Sequence, residues 1–328
     1  MALSEYITKC FLLKNMKKLS VIIPFLNEGA EIEQTIIEIK RTAGESVDIV
    51  LVNDASTDGY DYVSIAKKYN VNYYQNRTRQ GSAATRDIGI FHCKTPFFLT
   101  IDGHMRFYND MWVDKIVSAI DNDERAIYCC RCKAWCYETG VESKINAFYG
   151  AYVGLNQYCG EGILDVNWIR QDFFQNLKIV DIPCILGACY AASRKYWQFL
   201  KGECGLKLYG CDEQNISIKT WMEGGRCRLL KDVTIGHLFR QKIPYQADIK
   251  EINHNKAFIA ATLFPVEHQM MVYQLLDIDP NMLFDDKEKA IIEELKNYYQ
   301  SQKIINFDRF TNINSYFINL TYKNMVQG

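Results

Sequence analysis

One acidic residue and two histidines stand where a metal ion could be held. Asp102-Gly103-His104 follows the apolar run 97–101, so a strand ends there and a turn carries both side chains outward. A carboxylate and an imidazole, joined by one more nitrogen or oxygen ligand, fit Mn²⁺ or a similar divalent ion of the kind that bridges nucleotide phosphates. His237 is the third candidate ligand. It lies in Gly236-His237-Leu238-Phe239-Arg240, after the apolar run 233–235, and so at the end of another expected strand. An isolated Asp-x-His is common, and hydrogen-bonded polar turn residues are the plainer reading of these side chains taken alone. A second acidic group, Asp212-Glu213, opens the helical segment 214–222. It suits proton transfer or, equally, the positive end of a helix macrodipole.

These side chains need a scaffold, and the pattern of the chain supplies one. Residues 19–24 form an apolar run ended by Pro24, and Ile32, Ile36, Ile37 and Ile39 then mark an apolar helical face. Residues 48–52 form a second strand, which leaves into the polar stretch 53–59. Residues 71–74 and 97–101 continue the series, with a helix expected over 82–93 after Gly81. Alternating strands and helices predict a mostly parallel sheet covered by helices, with ligands collecting at the carboxyl ends of the strands. Asn27, Glu28, Asp54, Asp58, Asp102 and His104 all fall at such ends. After about residue 245 the pattern turns helical, most clearly over 249–264 and 287–299. The expected organisation is an N-terminal extension (1–18), a catalytic domain (19–246) and a helical C-terminal segment (247–328).

Bulk composition narrows the partners. The 328 residues are 48% hydrophobic and 23% charged, ordinary for a globular chain, and 38 Lys+Arg against 39 Asp+Glu leave a net charge of −1. No global field draws the protein to nucleic acid, and any charged partner is met locally. Glu5, Lys9, Lys14, Lys17 and Lys18 interrupt the apolar patch 10–13, so no signal-peptide core is expected, and no run is long enough to span a bilayer. The expectation is a soluble, cytoplasmic protein, with peripheral membrane contact left open. In that reducing setting the twelve cysteines are read as thiols. Cys129, Cys130, Cys132 and Cys136 lack the two separated pairs of a structural zinc site and suit a buried strand better.

Read in order, Pro24-Phe25-Leu26-Asn27-Glu28, Val52-Asn53-Asp54-Ala55-Ser56 and Asp102-Gly103-His104 resemble the GT-A glycosyltransferases. The opening is similar to family 2 enzymes generally. The remainder is similar to the polypeptide N-acetylgalactosaminyltransferases, which use Asp-x-His where many relatives use Asp-x-Asp. Arg79-Gln80-Gly81, the stretch 183–191 with Gly187, Tyr209-Gly210-Cys211-Asp212, Ile216-Ser217, Trp221, Gly224-Gly225, the His237–Arg240 stretch and Pro244-Tyr245 extend the likeness over roughly residues 19–245. The resemblance implies an α/β GT-A fold, a Rossmann-like nucleotide-diphospho-sugar transferase with a mostly parallel central sheet and a helical C-terminal extension. It also implies metal-dependent transfer of a sugar from a nucleotide-sugar donor, a UDP-hexose or UDP-N-acetylhexosamine.

The resemblance further implies roles. Asp102, His104 and His237 would hold Mn²⁺, with Mg²⁺ as the alternative. Pro24, Asn27, Glu28, Asp54, Arg79, Gly81, Asp102, Gly187 and Tyr245 would bind the donor, Asp54 through the uracil or ribose and Tyr245 by closing over it. Arg79 and Arg240 would pair with the diphosphate, since a guanidinium fork matches phosphate oxygens; solvated surface arginine is the alternative. Asp212, Glu213 and Arg240 would serve catalysis. Inverting family 2 enzymes place a general base at the column of Glu213, whereas the retaining polypeptide enzymes place a sugar-contacting carboxylate at that of Asp212. The stereochemistry therefore stays open, with retention favoured by the closer match beyond residue 180. Tyr209, Cys211 and Asp212 depart from the family's Trp-Gly-Gly-Glu, so a polypeptide acceptor does not follow, and a glycan or a lipid-linked acceptor, as in cell-surface glycan synthesis, stands beside it. A noncatalytic sugar-nucleotide binder and a nucleotidyltransferase are the rival readings; the latter lacks its glycine-rich, lysine-bearing loop after the first strand.

Overall fold

The computed structural model describes residues 17–136, 138–143, 147–155, 162–241 and 247–327. The described strands are β1 (Leu19–Phe25), β2 (Val47–Asn53), β3 (Asn72–Gln75), β4 (Phe97–Ile101), β5 (Met105–Phe107), β6 (Ala126–Cys136), β7 (Ala151–Val153), β8 (Val166–Trp168), β9 (Ile179–Asp181), β10 (Cys189–Ser193) and β11 (Arg226–Phe239). All but β7 and β8, which pair with each other, form one sheet in the order β3-β2-β1-β4-β10-β6-β11-β5, with β9 also on β11. β1 to β4 run parallel, β6 and β11 run parallel to each other, and β10, β5 and β9 run against their neighbours. The sheet is therefore mostly parallel in direction, as expected for a GT-A fold.

The parallel half follows directly from composition. A parallel strand covered on both faces must be apolar along its length rather than alternating, and Leu19, Val21, Ile22 and Ile23 of β1 are all fully buried. Helix α1 (Glu31–Ala43) buries Ile32, Ile36 and Ile39, with Glu31 and Glu33 in its first turn and Lys40 and Arg41 in its last, both matched to the helix dipole. Helix α2 (Tyr62–Tyr69) starts where the Asp61 side chain accepts from Ser64 N–H. Helix α3 (Ser82–His92) follows Gly81, and α4 (Trp112–Asn122) packs Trp112, Ile116 and Ile120 inward. Pairing of Phe25 with Asn53 and of Ile22 with Thr100 aligns the carboxyl ends of β1, β2 and β4 on one rim, where β10 begins, with Cys189 opposite Ile101.

Two stretches singled out by the sequence take definite places in the sheet. The apolar run 233–235 belongs to a long strand, β11, which shifts register against β6 between Leu230 and Thr234, and His237 lies near the carboxyl end of that strand, as expected. The cysteines 129, 130, 132 and 136 lie along β6, the first three buried, where successive side chains point to opposite faces. Burial pushes the Cys129 and Cys132 thiols up from their ordinary range.

Helices α5 (Arg194–Phe199) and α6 (Asp212–Glu223) flank the second half of the sheet. From residue 249 the described chain is helical: α7 (Ile249–Leu263), α8 (Val266–Leu275), α9 (Pro280–Leu283), α10 (Asp286–Ser301) and α11 (Phe307–Gln327). These helices share the core of the sheet. Phe258, Ile259, Phe310 and Phe317 join one apolar cluster with the strands, and buried Asn314 donates to Val153 O at 2.8 Å and accepts from Val153 N–H at 2.9 Å. No described helix is long and apolar enough to cross a membrane.

Candidate active site

A cavity of about 480 Å³ opens at the aligned rim. Asp102-Gly103-His104 forms the whole turn between β4 and β5, and His237 reaches the same place from β11, which pairs with β5 as His237 opposite Met105. The three candidate ligand atoms lie within 4.8 Å of one another. His104 Nε2 is 3.2 Å from His237 Nε2, and His237 Nε2 is 3.1 Å from Asp102 Oδ2. Among the described residues this is the one such group that brings histidine, cysteine or carboxylate donors together. Burial holds the His237 imidazole below its ordinary range, the neutral form that ligates. For Asp102 burial acts upward, but the bond to His237 and the nearby His237, His104 and Arg86 side chains outweigh burial and keep the carboxyl low. The donor set fits a divalent cation.

Glu28 lines the cavity and is at the same time bound to neighbouring side chains. Its Oε2 accepts from His104 Nδ1 at 2.9 Å, and both its oxygens meet the Arg240 guanidinium. It is buried. Glu28 thus fixes the tautomer that leaves His104 Nε2 facing Asp102 and His237, the support that metal-binding histidines ordinarily receive. Arg240 lies on the cavity with its fork turned to this carboxylate.

Also on the cavity, α6 begins after Cys211, which has a left-handed φ of 72°. Asp212 Oδ2 pairs at 2.5 Å with Nη1 of Arg86, a nearly fully buried guanidinium that also donates to Thr100 on β4 and lies over the Tyr190 ring. Burial works against the Arg86 charge, but Tyr190 and Asp212 outweigh it and hold it charged. Glu213 Oε1 accepts from Gly187 N–H at 3.2 Å. Burial and then the neighbouring Asp212 charge push the Glu213 carboxyl up to about 8. The acidic residues are therefore unlike: one is locked in an ion pair, the other holds a proton near neutrality. A side chain at Gly187 would put its Cβ 2.3 Å from Glu213 Oε1, which explains the glycine.

The third wall is the loop before α3. Asp54 spends its acceptors inside the protein, on Gln80 N–H (2.7 Å), Gly81 N–H (2.8 Å) and Asn76 Nδ2 (2.8 Å). It lines the cavity but acts first as the clasp of the 76–81 loop. Gly81, at φ 93°, lies so close to Leu208 that a Cβ would fall 2.1 Å from the Leu208 carbonyl oxygen, and Ser82 N–H donates to that oxygen at 2.8 Å. Pro24 and Arg79 also line the cavity. Asn27 does not: its side chain accepts from Thr57 N–H at 2.7 Å and its own N–H donates to Ser56 Oγ. Tyr245, expected to close over the donor, lies outside the described residues.

Sequence reasoning missed Arg86, Asp165, Trp168, Ile252 and Lys256, which all line the cavity. Arg86 sits on a helix with no motif to mark it, and its partner is 126 positions away. Asp165 and Lys256 are 91 positions apart. No local signal joins such pairs.

The profile of glycosyl transferase family 2 matches residues 20–195. The chain is 27% identical over 272 residues to the probable polypeptide N-acetylgalactosaminyltransferase 8 of Homo sapiens, covering 79% of this chain and 42% of that protein. It spans about two fifths of the length of such curated relatives. Among solved structures it is similar to GalNAc-T7 with UDP, GalNAc and Mn²⁺, with a TM-score of 0.76 at 19% identity over 94% of this chain and 58% of that one. It is also similar to S. aureus TarS 1-349 in complex with UDP-GlcNAc, with a TM-score of 0.50 at 15% identity over 92% of each chain.

Proposed function

The chain belongs to glycosyl transferase family 2, and on that premise we propose that it is a metal-dependent glycosyltransferase using a UDP-hexose or UDP-N-acetylhexosamine donor. The observation that carries this reading is the convergence of Asp102, His104 and His237 within 4.8 Å in the rim cavity that Glu213 also lines. The Mn²⁺ and UDP of the GalNAc-T7 structure support it.

Asp102, His104 and His237 would hold the cation, Mn²⁺ or Mg²⁺, which when bound offsets the negative charge of the departing diphosphate. Arg79 stands on the cavity wall where a guanidinium can assist that leaving group. Arg240 contributes mainly by holding Glu28, and Glu28 by orienting His104. Of the acidic residues, Glu213 is the one able to exchange a proton, because Asp212 is committed to Arg86. As the acceptor oxygen bonds to the sugar carbon and the sugar–phosphate bond breaks, the acceptor proton passes to Glu213 in its ionised form, which becomes the main form as pH rises through about 8, and UDP leaves with the bonding pair. Glycan synthesis in the cytoplasm is the setting this reading fits.

Calorimetric titration of a UDP-sugar panel, with and without Mn²⁺, tests the reading on wild type and His237→Ala. Manganese-dependent binding that the variant loses is the expected result; no binding of any donor under either condition refutes it.

A further inference from the structure

One side of the cavity is built by residues that neither the metal centre nor the acidic pair uses. Lys256 on α7 is buried, and its ammonium lies 2.6 Å from Asp165 Oδ1; both residues line the cavity. The two side chains differ in exposure, 6% for Lys256 and 50% for Asp165. An ammonium that gives one N–H to a carboxylate keeps further donors, and a half-open carboxylate keeps acceptor sites.

Both partners are held rigidly against the acidic wall. Leu164, which precedes Asp165, has a left-handed φ of 58°, and its carbonyl accepts from Gln214 Nε2 at 2.7 Å, so the turn is tied to the first turn of α6. On α7, fully buried Asn255 accepts from Lys207 N–H at 2.8 Å and donates to the carbonyls of Lys207, Tyr209 and Gly210. Asn255 thereby fixes the loop that enters Asp212 and Glu213, and its neighbour Lys256 is set relative to them. Cys211 lies among these groups, since its thiol, raised first by burial, also responds to Lys256, Asp212, Glu213 and Asp165. The pair therefore stands on the Glu213 side of the cavity.

A buried ammonium costs desolvation energy that an apolar residue would avoid, so the pair is not needed to fill space. Side by side, a cationic donor and an anionic acceptor match adjacent hydroxyls of a sugar, one accepting and the next donating. We propose that Asp165 and Lys256 bind sugar hydroxyls beside Glu213, either on the sugar being transferred or on the one that accepts it. This rests on the glycosyltransferase reading above.

Lys256→Met and Asp165→Asn test the pair, the latter at a half-exposed position where the shape is kept; melting temperatures confirm folding. Affinities for UDP, UDP-GlcNAc and UDP-GalNAc are measured with Mn²⁺, and UDP release is followed with and without a panel of mono- and oligosaccharides. If the pair holds the transferred sugar, UDP-sugar affinity falls about tenfold or more while UDP affinity stays within about twofold. If it holds the accepting sugar, both affinities stay and the KM for the saccharide rises by a similar factor. Variants that match wild type in every measurement, or that lose UDP and UDP-sugar binding equally, overturn the inference while wild-type turnover leaves the function standing. A wild type that binds neither UDP nor a UDP-sugar overturns the function itself and this inference with it.

Discussion

Replacing Glu28 by Gln separates two roles for this residue, support of a metal ligand and direct contact with the donor. Glu28 is 6% exposed, accepts from His104 Nδ1 at 2.9 Å and faces both terminal nitrogens of Arg240. Glutamine keeps the volume and one acceptor but removes the negative charge, and its amide N–H group must point at one of two existing donors. His104 then loses an anionic partner that orients its ring and raises the basicity of Nε2. Loss of such a supporting carboxylate ordinarily lowers metal affinity about 10- to 100-fold, or about 1.4–2.7 kcal/mol. Calorimetric titration of Mn²⁺ into wild type and Glu28→Gln, each with and without UDP, reads this directly. The expected result is Mn²⁺ binding weakened by that factor, with metal-free UDP affinity unchanged. Unchanged Mn²⁺ affinity with weakened metal-free UDP binding would refute the supporting role and return Glu28 to the donor site.

Three further outcomes follow from the group around Asp212 and Glu213. Gly187→Ala forces a Cβ to within 2.3 Å of Glu213 Oε1; the strain should cost about 1–3 kcal/mol in urea unfolding and depress turnover together. Arg86→Met leaves the buried Asp212 carboxylate unpaired, and about 3–5 kcal/mol of stability should be lost, whereas Arg86→Met with Asp212→Leu should recover much of it. Because the Glu213 carboxyl rises from 4.5 to about 8 on folding, its contribution to stability is complete below about pH 4.5 and disappears as pH climbs through 8. Metal-free protein should therefore lose stability between those values with a slope approaching about 1.4 kcal/mol per pH unit, and Glu213→Gln should flatten that slope in chemical denaturation.

Much of the scaffold was legible because its signals are local. The apolar runs at 19–24 and 97–101 form β1 and β4 because strands buried on both faces admit little else, and Gly81 marked the start of α3. Asp102 and His104 were legible for the same reason, since a polar pair immediately after a buried strand must lie at the sheet's rim. His237 stood out as a candidate ligand, though its place in β11 depends on a register shift that no local pattern announces.

Local pattern sufficed for the parallel half of the sheet, the expected ligand types and the acidic start of α6. What those residues do to one another came from the tertiary structure. It set Glu28 between His104 and Arg240, committed Asp54 to the 76–81 loop, and distinguished Asp212 from Glu213 by placing Arg86 against the former. It also brought α7 to the cavity through Asn255 and Lys256, where the sequence showed only a change to helical periodicity. The physical reason is common to all four. Periodicity and turn chemistry act over a few neighbouring residues, whereas a proton affinity or an ion pair depends on which distant side chains share a buried space.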